Sequence, residues 1–296
     1  MAEWLELREA VARHVADGQV LYLAGFSHLI PFAFGHEVVR RRYRRLTLCR
    51  ATPDLLYDQM IAAGVAERVV FSYAGNPGVG LLPAFRRAAE RGEIELDEWS
   101  HFELVARLQA GAAGLPFWPL RSLDNDLTRR RPRPTVESPF GGEAVAVVPA
   151  LTPDVTLLHA HCADEDGNVY VWGLLGEMRE AALAARRVLV SVEERRPAAD
   201  LRRQSAHLLL PGFRVDTLSV VPWGAHPSYA LGLYDRDRAF YLEWDRLARD
   251  PAAVADWLDR YVYGVEDHPQ YLDRLPAGRL RQLEEDAAGA ERDLRP

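Results

Sequence analysis

Short apolar runs that end in a small-residue turn and lead into a helical stretch recur along this chain. That alternation limits the available folds more than any other feature. Leu21-Tyr22-Leu23-Ala24 runs into Gly25-Phe26-Ser27-His28, and Pro31 opens a helical segment over 32–42. Proline suits the first helical turn, where its missing N–H leaves nothing unpaired. Leu46-Thr47-Leu48-Cys49 leads through Thr52-Pro53-Asp54 into a helix over 55–63. A strand over 68–73 ends at Gly75-Asn76-Pro77-Gly78-Val79-Gly80, and a helix over 83–91 follows. Strands alternating with helices of this length predict an α/β fold, an open and mostly parallel sheet with helices on both faces.

The stretch 121–142 is poor in apolar residues and rich in Asp, Arg and Pro, so it reads as a long connection, either a lid or a surface excursion. Strands resume over 144–151 and 155–163, and another over 168–172 follows the Asp166-Gly167 turn. A helix over 177–185, a strand over 188–192 and a last buried strand over 217–221 come next. Beyond Tyr229 the pattern is helical, with Trp244, Trp257, Tyr261 and Tyr271 on apolar faces. The expected organisation is one domain over 1–296, in which about 230–296 forms a C-terminal helical arm packed on its own domain or on a partner.

Composition excludes several classes. A net charge of −7 argues against general nucleic-acid affinity, which rests on neutralising phosphates. No apolar run approaches the roughly 18 residues a membrane helix needs, and Met1-Ala2-Glu3-Trp4-Leu5-Glu6 lacks the regions of a signal peptide. Cys49 and Cys162 each lie in an apolar run and read as buried thiols of a reducing compartment, so a cytoplasmic protein is expected. All 36 basic residues are arginine. Without lysine, the chain itself can supply no Schiff base, no pyridoxal-phosphate anchor and no lysine of a phosphate-binding loop.

In open parallel sheets ligands bind beyond the carboxyl ends of the strands. Three loops fall there: 25–31, 75–80 and Trp223-Gly224-Ala225-His226-Pro227-Ser228, with Trp99-Ser100-His101 as a fourth candidate. A glycine turn feeding a helix N-terminus offers free N–H groups to a carboxylate, a phosphate or a developing oxyanion. The 75–80 loop is no dinucleotide fingerprint, because its glycines are wrongly spaced and the acidic ribose partner is missing. His159 and His161 share one strand face, but no nearby cysteine or carboxylate completes a ligand set, so no metal is expected. His14 and His36 sit on helices and read as structural, whereas His28, His101 and His226 lie on loops. The arginines between Arg40 and Arg45 read as a solvated helix end. No Gly-x-Ser-x-Gly elbow is present. Glu193-Glu194 is the better-placed carboxylate pair, read as a strand-end ion pair with neighbouring arginines. Loops suited to an oxyanion without a convincing nucleophile suggest a half-site.

Taken together, these loops resemble the alpha subunit of the family I coenzyme A transferases, in particular that of glutaconate CoA-transferase, whose sheet is of the CoA-transferase and NagB/RpiA-like kind. Ala24-Gly25-Phe26 resembles that family's Gly-Gly-Phe loop, with alanine in place of the first glycine. Gly114-Leu115-Pro116-Phe117, His159-Ala160, Asp166-Gly167 and Trp172-Gly173 resemble its central segments. Gly224-Ala225-His226-Pro227-Ser228, Gly232-Leu233-Tyr234-Asp235, Asp267-His268 and Tyr271-Leu272 resemble its C-terminal part, in the same order.

The resemblance implies an acyl-CoA:carboxylate CoA-transferase alpha subunit that pairs with a homologous beta subunit, often as a heterotetramer. Coenzyme A would be a substrate and no cofactor would be bound permanently. The nucleophilic glutamate would come from the beta chain and work by covalent, ping-pong catalysis. Gly25, Phe26 and Ser27 would form the oxyanion loop, and His28, Asn76, Gly78, Ser100, His101 and His226 would bind substrate. Some relatives hydrolyse acyl-CoA thioesters or open cyclic ones; they carry an acidic residue about where His101 stands, so histidine here weighs against such a hydrolase, although it could act as a base, and the hydrolase is the alternative. A non-catalytic protein sensing a small anion is a second alternative.

Overall fold

The computed structural model describes residues 2–121 and 125–293, the last four by their backbone alone. Residues 122–124 of the expected lid or excursion lie outside the described residues. The first half runs β1 (Glu3–Trp4), α1 (Leu7–His14), β2 (Val20–Leu23), α2 (Phe32–Arg40), β3 (Leu46–Cys49), α3 (Leu55–Ala62), β4 (Ala66–Phe71), α4 (Pro83–Glu90), β5 (Glu95–Glu98) and α5 (His101–Ala112). The middle holds β6 (Phe117–Leu120), α6 (Asp126–Arg130), β7 (Thr135–Glu137) and β8 (Ala144–Pro149). There follow β9 (Val155–Ala163), β10 (Val169–Tyr170), α7 (Met178–Ala184), β11 (Arg187–Arg195), α8 (Ala198–Leu201), β12 (Leu208–Leu210) and β13 (Thr217–Val220). Helices α9 (Arg238–Leu247), α10 (Pro251–Leu258), α11 (His268–Asp273) and α12 (Arg279–Asp293) close the chain.

Ten strands form the main sheet, in the order β1-β13-β11-β9-β2-β3-β4-β5, with β10 and β12 attached beside β9. Every pair along that order is parallel, and β10 runs antiparallel to β9 and β12. The period of two in the strands sorts side chains between two cores, because both faces of a parallel sheet are covered. Leu21 and Leu23 of β2 join Leu157, Leu189, Phe32, Val38, Leu55 and Met60 on one face. Tyr22 and Ala24 join Leu158, Val190, Leu104, Met178 and Ala181 on the other.

The helical arm packs on its own domain. Trp244 and Trp257 sit in the core formed by α2 and α3. The Trp244 indole N–H donates to Asp58 Oδ2 at 2.9 Å, and Asp58 Oδ1 accepts the Phe85 amide at 2.7 Å. One carboxylate thus joins α3, the first turn of α4 and the arm. Burial raises its pKa to about 6.

Two segments depart from expectation. The apolar run over 144–151 leaves the main sheet and pairs with β6 and β7 in a three-stranded antiparallel sheet. The described part of the 121–142 connection is an excursion carrying α6 and β7. It is tied to the main body by Arg131 to Asp97 (2.6 Å) and by Arg133 to Glu103 (2.5 Å). The first bond ends on the outer strand β5, whose Glu95, Leu96 and Glu98 stay exposed and whose polarity hides it from a hydrophobic pattern.

Trp244→Phe leaves one oxygen of buried Asp58 without its donor. The expected loss is about 2 kcal/mol of unfolding free energy, read from urea titrations of the two proteins.

Candidate active site

At the carboxyl end of β2 the backbone turns left-handed three times, at Gly25 (φ 108°), Ser27 (φ 57°) and Leu29 (φ 50°). Such a conformation costs a side-chain-bearing residue energy, so neighbouring contacts must enforce it. A Cβ on Gly25 would lie 2.8 Å from both the His28 and Leu29 carbonyl oxygens, so only glycine fits. The Leu29 amide donates to Tyr229 O (3.0 Å) and Ser228 Oγ donates to Ser27 O (3.0 Å). The Phe26 amide is taken by His28 O at 3.2 Å, whereas the Gly25 and Ser27 amides have no acceptor among the described residues. The first turn of α2 is fully buried and its Ala33 amide donates to Gly224 O (3.0 Å), so protein closes that helix end. Donors for an anion at this edge are therefore those of the loop itself.

His28 is fully buried, and both ring nitrogens meet backbone. Nδ1 lies 3.0 Å from the Leu174 carbonyl and Nε2 accepts the Leu231 amide at 3.1 Å. Those partners fix the tautomer, with the proton on Nδ1 and no ring nitrogen left for a ligand. His226 is also fully buried, with Tyr271 Oη at 2.9 Å from Nδ1 and Asp237 Oδ2 at 3.1 Å from Nε2. Asn76 Oδ1 accepts the Leu55 amide at the start of α3 (2.9 Å), while its Nδ2 is buried without a partner. Gly78 occupies a left-handed position (φ 72°) with open space around its α-carbon. Ser100 caps α5 by accepting the Glu103 amide (3.2 Å), and His101 is exposed, its Nδ1 3.4 Å from Ser72 Oγ.

The loops carrying His28 and His226 touch each other. Asn76 and Gly78 follow β4, and Ser100 and His101 follow β5, three strands from β2. At about 4.8 Å per strand, that is roughly 14 Å along the edge. The candidate residues therefore line an edge instead of converging on one point.

Two charged groups at this edge escape a reading of the sequence, and a third, Glu193, does more than form an ion pair. Glu177 accepts the Tyr22 hydroxyl (2.6 Å) and the Ala51 amide (3.3 Å). Arg50 is 1% exposed and pairs with Asp54 at 2.9 Å, yet its Nε and Nη1 are unpartnered. Glu193 accepts the His159 Nε2–H (2.7 Å), the Trp223 amide (2.7 Å) and the Tyr234 hydroxyl, which accounts for His159. Glu194 pairs with Arg196, the strand-end ion pair expected there. His161 stacks on Trp172 with ring centroids 3.8 Å apart and faces Leu231 O. Among the described residues no three His, Cys, Asp or Glu side chains gather as a metal site, and no helix is long and apolar enough to cross a membrane. The sequence signal for the segment bearing Glu177 is its glycine pair. A Cβ on Gly176 would stand 2.7 Å from Phe26 Cβ, and one on Gly173 would stand 2.9 Å from Leu231 Cδ2.

Burial lowers the His28 pKa to about 4 and those of His36 and His161 to about 3. An unfolded histidine titrates near 6.5, so the unfolded chain binds these protons first. Their contribution to stability is full above pH 6.5 and is lost as the pH falls towards 4. Asp58, raised to about 6, and Asp54, raised by burial as well, act in the opposite sense, but burial lowers His14, His226 and His268 alongside these three. Stability should fall from pH 6.5 to 5, by about 1.4 kcal/mol per pH unit for each net proton. Urea midpoints at pH 7 and pH 5 check this, and equal midpoints contradict it.

The coenzyme A transferase family model matches residues 5–220. The A-type subunit of 3-oxoadipate CoA-transferase from Pseudomonas knackmussii is 46% identical over 284 residues, 94% of this chain and 100% of that protein. The A-type subunit of glutaconate CoA-transferase from Acidaminococcus fermentans is 30% identical over 303 residues, 96% of this chain and 95% of that protein. The crystal structure of glutaconate CoA-transferase from that organism superposes with a TM-score of 0.90 at 28% identity, covering 96% of each chain. With its open parallel sheet and C-terminal helices, the chain belongs to the coenzyme A transferase family, as an enzyme subunit of the A type.

Proposed function

We propose that this subunit serves an acyl-CoA:carboxylate CoA-transferase whose substrates are dicarboxylic acids of the 3-oxoadipate and glutaconate kind, and that its 25–29 loop stabilises the oxyanion formed on the acyl carbon. Similarity to the subunits of those two names supports the substrate class. The observation that carries the reading is the loop itself, held left-handed with the Gly25 and Ser27 amides free. The carboxylates beside it, Asp54, Glu177 and Glu193, are each engaged by protein donors or by Arg50. A nucleophile brought by a homologous B chain completes the site, in a heterotetramer of the cytoplasm. Tyr73, Phe102, Leu174 and Leu231 on the same loops are 43% to 56% exposed, apolar surface suited to that chain.

On this reading the partner's glutamate carboxylate attacks the thioester carbonyl. The tetrahedral oxyanion collapses to a mixed anhydride and expels CoA thiolate. The thiolate then attacks the glutamyl carbonyl, giving a glutamyl-CoA thioester and freeing the first acid, and the second acid reverses the sequence. Coenzyme A enters and leaves as substrate throughout. The His101 ring, which leans back to Ser72 at the end of β4 (3.4 Å), meets the substrate's far carboxylate, with Ser100 behind it and Asn76 and Gly78 beside it.

The test is co-expression with the B chain, exchange of labelled CoA between acyl-CoA and a free dicarboxylate, and borohydride trapping of the glutamyl thioester. Exchange with a trapped glutamate on the partner is the expected result. Hydrolysis without exchange would replace the transferase by a thioester or ring-opening hydrolase. Gly25→Ala keeps the N–H but its Cβ would push the loop off the His28 and Leu29 carbonyls, so the donors are misplaced and kcat should fall about a hundred- to a thousandfold, the usual effect of losing an oxyanion donor, with the circular dichroism spectrum kept.

A further inference from the structure

The excursion over 125–137 reaches the active edge through one buried ion pair. Arg133 Nε and Nη2 grip the two oxygens of Glu103 at 2.5 and 2.9 Å, and the paired side chains are 3% and 2% exposed. The same Glu103 Oε2 accepts the Ser100 amide at 3.0 Å while Ser100 Oγ accepts the Glu103 amide, so the guanidinium is built into the cap of α5. Arg133 also lies over the Trp99 ring, 4.5 Å from its centroid, and its Nη1 donates to Arg131 O. It touches Trp99 and Glu103, and reaches Ser100 through the shared carboxylate. His101 and Phe102, the residues in their midst, stand exposed at the carboxyl edge, and His101 is the polar one.

We propose that Arg133 is a positioning residue for the Ser100–His101 turn, and that through it the excursion sets how tightly the enzyme holds the carboxylate of its substrate acid. This rests on the role given to His101 above. A bidentate fork fixes direction as well as distance, which a single charge on a flexible stem does not. Burying such a pair costs desolvation that the attraction barely offsets, so its return is geometry more than stability. Arg131 lacks that property, because it is half-exposed and holds Asp97 by a single nitrogen.

The test is a double-mutant cycle on the co-expressed complex, with KM for the acceptor dicarboxylate as the readout. Arg133→Lys keeps the charge and loses the fork. It should raise that KM about tenfold with kcat changed less than about threefold, and in a His101→Ala background the effect should fall below about twofold. A purely structural role would lower kcat with the folded fraction and leave KM alone, which overturns the proposal. If His101→Ala leaves KM unchanged, the underlying role of His101 fails, and the proposal with it. Should Arg133→Lys not fold, Glu103→Gln weakens the same fork from the other side and must raise KM in the same way, or the proposal falls.

Discussion

His28 ties three loops of the carboxyl edge into one body. It donates a ring proton to the carbonyl of Leu174 and accepts the amide of Leu231, from a loop whose own backbone is bent left-handed on either side of it. The 25–29, 173–177 and 228–231 segments meet at that exchange. The 25–29 loop keeps its two free amides only because the 173–177 and 228–231 segments press against it, and Gly173 and Gly176 let them come that near. A charged imidazole would turn the Leu231 contact from acceptance into a clash of two donors. The low proton affinity of His28 therefore follows from the job it does, as well as from its burial.

Glu193 anchors the opposite side of the same arch. It takes the amide of Trp223, whose φ of 62° begins the turn into Gly224, and Gly224 in turn receives the Ala33 amide. The sheet strand β11, the arch and helix α2 thus share one chain of hydrogen bonds. The protein supplies rigid backbone donors and keeps its own carboxylates occupied. That division fits the proposal that the nucleophile arrives on another subunit, because a free acid beside the loop would compete for the same amides.

The alternation of apolar runs, small-residue turns and helical stretches made the central strands β2, β3, β4, β9, β11 and β13 legible, since helices cover both faces of the sheet there and each helix is short and clearly bounded. Strand β5 was not legible, because Glu95, Leu96 and Glu98 face solvent at a sheet edge. The run over 144–151 looks like a sheet strand and is one, but its partners are Phe117–Leu120, a run interrupted by proline, and Thr135–Glu137, from the stretch whose composition reads as loop. At the site, the loops after β2, β4, β5 and β13 could be named from their glycines and polar residues. Which way each side chain faces could not: His28 and His226 turn inward to backbone and to buried partners, whereas His101 turns out. Glu177 carried no charge pattern that sets it apart from a surface acid, because its partners Tyr22 and Ala51 lie more than a hundred residues away in sequence, and Arg50 pairs with Asp54 at a spacing that surface ion pairs share.

The two cysteines have a practical consequence. Cys49 and Cys162 are buried and free, and burial pushes their thiols up to about 12 and about 11. A thiol reacts as its thiolate, so neither is a target for maleimide at neutral pH. The absence of lysine leaves no side-chain amine for an active ester. In chemical labelling this protein is close to silent as it stands. One cysteine introduced on the exposed surface, at Phe213, would be a unique attachment point for a dye or spin label, and distances to its partner could be read without removing either native cysteine.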